Sequence, residues 1–219
     1  MSRTMKSCFV TLAVLFLWRV EEVAEACSCA PVHPQQAFCG SDVVFRAKVT
    51  GKEEVVIGND PFGNPITEIK YVIKLIKLFK GPSSDIDAVY TPTSSAMCGV
   101  YLEADGITHY LITGHLDGGK VRIILCNFIQ PWDTLSTNQK LNLIRRYASG
   151  CDCTITYCSS IPCMISSPAE CLWTDWVTGG GVRGDQARNY ACIKRSDGSC
   201  SWYRGNAPSK KAFMDIEDP

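Results

Sequence analysis

Apolar and polar residues alternate most regularly over residues 68–78, where Ile69, Tyr71, Ile73 and Leu75 share one face of an extended chain. A second strand is expected over residues 42–49, joined to the first as a long hairpin. The hairpin tip, Gly58-Asn59-Asp60-Pro61-Phe62-Gly63-Asn64-Pro65, is dense in turn-forming residues and leaves Phe62 without evident cover. Shorter strands are expected over residues 87–90, 108–113 and 120–125, about five antiparallel strands in all. The period becomes helical twice: briefly near Pro34, and over residues 136–148, where Leu141, Ile144 and Tyr147 or Ala148 line one face. Five strands with peripheral helices make a mainly β (α+β) chain able to close a small barrel. Trp132 and Leu135, just before the second helix, are assigned to its core.

The start of the chain follows a different pattern. Arg3 and Lys6 precede an apolar run over residues 8–18, and Ala24-Glu25-Ala26 offers small residues at both positions a signal peptidase reads. Residues 1–26 therefore read as a secretion signal removed after Ala26. The run falls short of the ~20 residues that span a bilayer, and no later stretch replaces it. A secreted chain without membrane insertion is expected, with an uncleaved signal anchor as the alternative.

Composition matters next through the cysteines. Thirteen are present, Cys8 leaves with the signal, and the even dozen that remains reads as six disulfides in an oxidising compartment. Cys27, Cys29, Cys39, Cys98 and Cys126 are widely spread, whereas seven cysteines lie between Cys151 and Cys200 inclusive. That change of density sets a boundary at Cys151-Asp152-Cys153, giving an N-terminal domain over residues 27–152 and a disulfide-rich C-terminal domain over residues 153–219. The second is too small to bury a large core and should depend on its bridges. Lys and Arg number 22, as do Asp and Glu, so nothing points to nucleic acid or to a basic membrane patch.

Catalytic chemistry finds little support. His33, His109 and His115 stand apart, none within a nucleophile signature. There is no phosphate loop and no H-E-x-x-H, and Gly179-Gly180-Gly181 lacks the strand and helix of a nucleotide fingerprint. Cys27-x-Cys29, Cys151-x-Cys153 and Cys158-x4-Cys163 superficially resemble zinc-ligand pairs. Secretion favours bridges instead, and the spacings match no common finger. The expectation is a protein that is not an enzyme and holds no cofactor of its own.

Cys27-Ser28-Cys29 stands out by its position. In an extended segment the two cysteine side chains point one way and Ser28 the other. A direct bridge between them would be strained, so each should seek its own distant partner. The segment becomes a ridge stapled from beneath, stiffened by Pro31 and Pro34. Cleavage after Ala26 leaves the Cys27 amine and carbonyl oxygen close enough to chelate one metal ion from outside. An α-amine with its ordinary pKa of about 7.7–8.0 is partly neutral at physiological pH. Such a pair can displace the water that a catalytic zinc keeps. A terminus merely tied down, with no ligand role, fits the same spacing.

The residues resemble a known family. Cys27-Ser28-Cys29-Ala30-Pro31-Val32-His33-Pro34-Gln35-Gln36-Ala37-Phe38-Cys39, then Asp42-Val43-Val44-Phe45-Arg46-Ala47-Lys48, is similar to the opening of the tissue inhibitors of metalloproteinases. The likeness continues through Lys80-Gly81-Pro82, Ser94-Ser95-Ala96-Met97-Cys98-Gly99 and Ile193-Lys194-Arg195-Ser196-Asp197-Gly198-Ser199-Cys200-Ser201-Trp202-Tyr203-Arg204-Gly205, and takes in all twelve cysteines. It implies a five-stranded OB-type, netrin-like barrel followed by a small disulfide-rich domain. It also implies the bridges Cys27–Cys98, Cys29–Cys126, Cys39–Cys151, Cys153–Cys200, Cys158–Cys163 and Cys171–Cys192.

The function implied is inhibition of matrix metalloproteinases by a protein secreted into the extracellular matrix, monomeric when free. Cys27 would take the zinc of the target protease, Ser28 the mouth of the pocket for the first residue after a scissile bond, and Cys29, Ala30 and Pro31 the substrate track. Ser94, Ser95, Ala96, Met97 and Cys98 would complete the wedge. Phe62 would be an accessory contact, or else a surface aromatic. The long hairpin, the absence of an Asn-x-Ser/Thr sequon and the C-terminal tail resemble one subtype, in which the tail binds the hemopexin-like domain of progelatinase A. That subtype usually has tyrosine at Phe62 and serine at Ala30. Asp215, Ile216, Glu217, Asp218 and Pro219 would form the binding tail, against the alternative of a solvated acidic terminus. The alternative function is a netrin-like extracellular binding or signalling module without protease inhibition.

Overall fold

The computed structural model describes residues 27–82 and 85–205. The signal expected over residues 1–26 and the acidic tail over residues 215–219 lie outside the described residues. Strands β1 (Val43–Asn59) and β2 (Pro65–Lys80) form the long antiparallel hairpin, paired from Val44↔Lys80 out to Asn59↔Pro65. Both strands extend beyond the alternating segments. Residues of β1 are buried or half-buried up to Val49 and mostly exposed beyond it, so the outer hairpin is held by main-chain pairing and leaves no core-facing signature in the sequence.

Strands β3 (Ala88–Pro92), β4 (His109–Asp117), β5 (Lys120–Arg122) and β6 (Ile129–Pro131) complete a six-stranded sheet. Because β1 pairs with both β2 and β4, the order β1-β2-β3-β5-β4 closes into a five-stranded ring, with β6 added on β4. Two expectations need correction. The short β6 was not foreseen, and β3 and β5 run parallel, through Val89↔Val121 and Tyr90↔Arg122. The chain leaving β3 does not turn straight back: β4 pairs with β1, and the turn after β4 delivers β5 beside β3 in the same direction. β5 is also shorter than expected, since the chain turns at Ile124, whose N–H donates to Asn127 Oδ1 at 2.7 Å.

Inside the ring, Val43, Phe45, Ala47 and Val49 alternate inward and meet Tyr71, Ile73, Val89, Ile112, Val121 and Ile123. Burial of each valine, isoleucine and phenylalanine among them contributes ~1.5–3 kcal/mol. Outside it, helix α1 (Pro34–Gly40) starts with proline in its first turn and His33 as cap: the Gln35 N–H donates to His33 Nδ1, and the His33 N–H to Gln36 Oε1. Helix α2 (Thr137–Arg145) begins with a reciprocal Ser136 and Gln139 cap. Its buried face differs from the one expected. Leu141 and Tyr147 are buried, but Ile144 is 41% exposed, while Gln139, Lys140, Asn142 and Leu143 are buried. The helix lies between the barrel and a short helix α3 (Asp185–Asn189), with Gln139 Nε2 donating to Ala187 O at 3.2 Å. A helix covered on two sides cannot be described by one apolar stripe.

Apolar packing continues across Asp152. Phe38, Val44, Leu111, Trp132, Leu135, Leu143 and Tyr147 form one cluster with Ala191, so Trp132 and Leu135 are core as expected. Beyond it, β7 (Thr154–Tyr157) pairs in parallel with β8 (Glu170–Trp173), and β9 (Tyr190–Lys194) antiparallel with β10 (Cys200–Arg204). These strands surround Trp173, Ala187, Cys153, Cys171 and Cys192. The first turn of α1 is tied into this region. The Gln35 side chain receives the Cys192 N–H and donates to the Cys192 carbonyl, both at 2.7 Å, and Gln36 Nε2 donates to Ile155 O at 2.7 Å. His33 is fully buried, its ring centre 5.4 Å from Trp173 and 5.2 Å from Trp202.

Burial holds the His33 imidazole at a pKa of about 4, against an ordinary 6.5, and outweighs the opposing Gln186 carbonyl and Asp175 carboxylate. The folded value lies below the unfolded one, so the contribution of the neutral ring is complete above pH ~6.5. It is lost as the pH falls toward ~4, where the unfolded chain takes up the proton first. The gap corresponds to ~3 kcal/mol. Guanidinium unfolding at pH 7 and pH 4, disulfides intact, should show that loss in the wild type and a clearly smaller one in His33→Gln. Equal losses would remove His33 as their source.

Candidate functional site

Six disulfides are formed, and their pairs are Cys27–Cys98, Cys29–Cys126, Cys39–Cys151, Cys153–Cys200, Cys158–Cys163 and Cys171–Cys192. The first two build the ridge. Their Cα separations are 5.3 and 5.2 Å, and the sulfurs of Cys27, Cys29 and Cys126 lie within 4.8 Å of one another. The two bridges thus meet at the segment, but only Cys27 is buried: Cys29 and its partner Cys126 are exposed along with Ser28 and Ala30, so the expectation that both cysteines face inward holds for Cys27 alone. Pro31 is half-buried and continues the segment toward His33. Cys153, Cys192 and Cys200 also bring their sulfurs together. In both groups the sulfurs are bridged and lack the thiolate charge that zinc ligation needs.

The partner of Cys27 ends a tight turn. Ser95–Met97 form one turn of 3-10 helix, with the Met97 and Gly99 N–H groups donating to the Ser94 carbonyl at 3.1 and 2.9 Å. Ser94, Ser95, Ala96 and Met97 are exposed, Met97 by 56%. Cys98 has φ 62°, in the left-handed region that side chains rarely adopt. The next residue must be glycine: a Cβ on Gly99 would lie 2.3 Å from the Pro92 carbonyl oxygen. The Leu125 N–H then donates to the Cys98 carbonyl at 2.8 Å, tying this turn to the loop that carries Cys126.

Three segments, around Cys27, Cys98 and Cys126, are therefore locked together by two disulfides and a main-chain hydrogen bond. The third was missed in the sequence reading of the ridge, where Cys126 had served only as a bridge partner. Leu125, 50% exposed, adds apolar surface next to the Cys98 carbonyl that it binds. Behind the ridge is a cavity of about 260 Å³ lined by Cys29, Ala30, Pro31 and Leu125 and, from further along the chain, by Trp176 and Val182.

Phe62 stands at the hairpin tip and is 89% exposed. Its turn is ordered by Asp60, whose carboxylate accepts the Phe62 and Asn64 N–H groups, both at 2.8 Å. Those bonds lower the Asp60 pKa below the ordinary range, the Asn64 side chain contributing most. The hairpin meets the ridge lower down, where Ile57 and Ile66 share a cavity with Met97. Phe62 does not line it. The histidines have local partners: His109 Nδ1 accepts from Arg46 Nε at 3.0 Å, and His115 faces Asp42 at 3.4 Å. Among the described residues, no helix is long and apolar enough to cross a membrane.

Comparison with known proteins bears on what this ridge is for. The family described as tissue inhibitor of metalloproteinase matches residues 25–202. Metalloproteinase inhibitor 2 of Cavia porcellus is 58% identical over the whole of both chains. The Homo sapiens protein of that name is 59% identical over 96% of each chain, and that of Cricetulus longicaudatus 62% identical over 89% of this chain and all of its own. On this evidence of extent and identity, the chain belongs to the tissue inhibitor of metalloproteinase family.

Proposed function

We propose that this protein is a secreted inhibitor of matrix metalloproteinases, working as a matured chain that begins at Cys27. Its family membership supports the activity, and one observation carries the mechanism: two disulfides converge on the segment that carries the exposed Ser28 and Ala30. Before cleavage the Cys27 nitrogen is an amide bonded to Ala26. Cleavage there makes it an amine, which with the Cys27 carbonyl oxygen chelates the catalytic zinc of the target and displaces its nucleophilic water. Ser28 enters the adjoining pocket, and Cys29, Ala30 and Pro31 follow the substrate track. The inhibitor is not cut, because no peptide bond then precedes Cys27.

Ser94, Ser95, Ala96, Met97 and Cys98 supply the second edge of the wedge, and Phe62 an accessory contact from the hairpin. Because the bridges order these segments beforehand, little ordering entropy opposes association. On this reading the protein is an inhibitor and not an enzyme, a monomer with no cofactor of its own. The inhibitory unit is an OB-type, netrin-like barrel over residues 27–152, a reading supported by the closed five-stranded ring. Residues 153–219 form the second domain, whose tail, Asp215, Ile216, Glu217, Asp218 and Pro219, binds the hemopexin-like domain of progelatinase A through its acidic charge.

One experiment tests both halves. The matured chain over residues 27–219 and a form lacking residues 215–219 are titrated into an isolated matrix metalloproteinase catalytic domain and, separately, onto immobilised progelatinase A. Both forms should inhibit the catalytic domain at one-to-one equivalence, while the shortened form captures the proenzyme about tenfold more weakly, ~1.4 kcal/mol. Absence of inhibition by either form would overturn the inhibitor reading and favour a netrin-like binding module. Undiminished capture would overturn the role of the tail.

A further inference from the structure

Among the described residues, Cys29–Cys126 is the one bridge that joins two exposed cysteines. Each of the other five includes a cysteine that is buried or half-buried: Cys27, Cys39, Cys153, Cys158 and Cys171. Cys29 and Cys126 both line the cavity of about 260 Å³ behind the ridge, which gives a small solute a way to their bond. The Cys27 sulfur lies within 4.8 Å of both of theirs, so the exposed bridge stands directly beside the Cys27–Cys98 bridge. The Leu125 N–H donates to the Cys98 carbonyl at 2.8 Å. That hydrogen bond keeps the Cys126 loop against Cys98 whether or not Cys126 is bonded to Cys29. Opening the exposed bridge therefore leaves a thiolate held next to a second disulfide, the arrangement that favours intramolecular exchange.

We infer that these two bridges form a modification site for small thiols of the class of glutathione and free cysteine. The thiolate attacks Cys29 Sγ, a mixed disulfide forms there, the bond to Cys126 breaks, and Cys126 leaves as a thiolate. Cys126 Sγ then attacks Cys27 Sγ. A Cys27–Cys126 bond forms, the Cys27–Cys98 bond breaks, and the departing Cys98 thiolate takes up the proton that the incoming thiol gave to solvent. Two disulfides and one thiol stand on each side of the exchange, so neither oxidant nor reductant is consumed. Attack at Cys126 instead frees Cys29, whose closure onto Cys27 would join near neighbours under strain, and that route reverts. The consequence for activity rests on the proposed function: the exchange unties the turn over residues 94–98 from Cys27, and the two edges of the wedge must then be ordered again on binding.

Matured protein is incubated with reduced glutathione near neutral pH, free thiols are trapped with iodoacetamide, and the bridges are mapped by proteolysis and mass spectrometry. The first product should carry glutathione on Cys29, the trapping group on Cys98 and a new Cys27–Cys126 link, with the other four bridges intact. Purified before digestion, that product should inhibit a matrix metalloproteinase catalytic domain at least about tenfold more weakly than untreated protein. Glutathione appearing first on any other cysteine would overturn the assignment. A Cys29 adduct with Cys126 trapped and Cys27–Cys98 intact would overturn the second exchange. A correctly linked product that inhibits as well as untreated protein would overturn the consequence for activity. Failure of the untreated protein to inhibit at all would overturn the proposed function instead, and the bridge map would still decide the exchange site.

Discussion

One extra alanine placed before Cys27 is expected to weaken inhibition on the order of a thousandfold, ~4 kcal/mol. The addition turns the terminal amine into an amide, whose nitrogen lone pair is delocalised into the carbonyl and no longer binds zinc. It also puts a residue where the metal must approach. The bridges to Cys98 and Cys126 are untouched, so the thermal midpoint should stay within ~2 °C of the wild type. That separation of effects makes the comparison decisive. Equal inhibition of a matrix metalloproteinase catalytic domain by the two forms would sink the chelation mechanism.

The largest expected loss of stability follows Gln35→Leu. The Gln35 side chain is buried and acts as a rung beside β9, satisfying both main-chain groups of Cys192, itself fully buried. Leucine fills a similar space and leaves that N–H and C=O without partners, at ~1–3 kcal/mol each. The site has no slack: a Cβ on Gly150 would lie 2.0 Å from the Cys192 carbonyl oxygen and 2.4 Å from Gln35 Nε2. A loss of ~4 kcal/mol corresponds to about 10 °C in a chain of this size. Calorimetry with disulfides intact reads it directly, and a shift below ~2 °C would mean the rung contributes little.

Much of the barrel was legible because its strands face one core: alternation at Ile69, Tyr71 and Ile73 reports burial inside the ring. The outer hairpin carries no core face, so its length was hidden. The parallel β3–β5 pairing was hidden for another reason, since alternation is the same in either strand direction. Of the site, Cys27 and Cys29 stood out by position, and residues 94–98 through family resemblance. The loop at Leu125 and Cys126 joins them by a main-chain hydrogen bond, which no side-chain pattern records. His33, Gln35 and Gln36 read locally as a helix start, and their distant partners become visible only once the chain is folded.

The bridges from Cys27, Cys29 and Cys39 span 71, 97 and 112 residues along the sequence. During synthesis on the proposed secretory route, these three cysteines are the first of the matured chain to emerge and wait longest, and Cys39 cannot meet its partner until Cys151 arrives. Loops of this size close slowly compared with local contacts. Throughout that interval the free thiols nearest the new terminus are open to mispairing. On the proposed secretory route, correct oxidative folding therefore calls on disulfide-isomerising machinery.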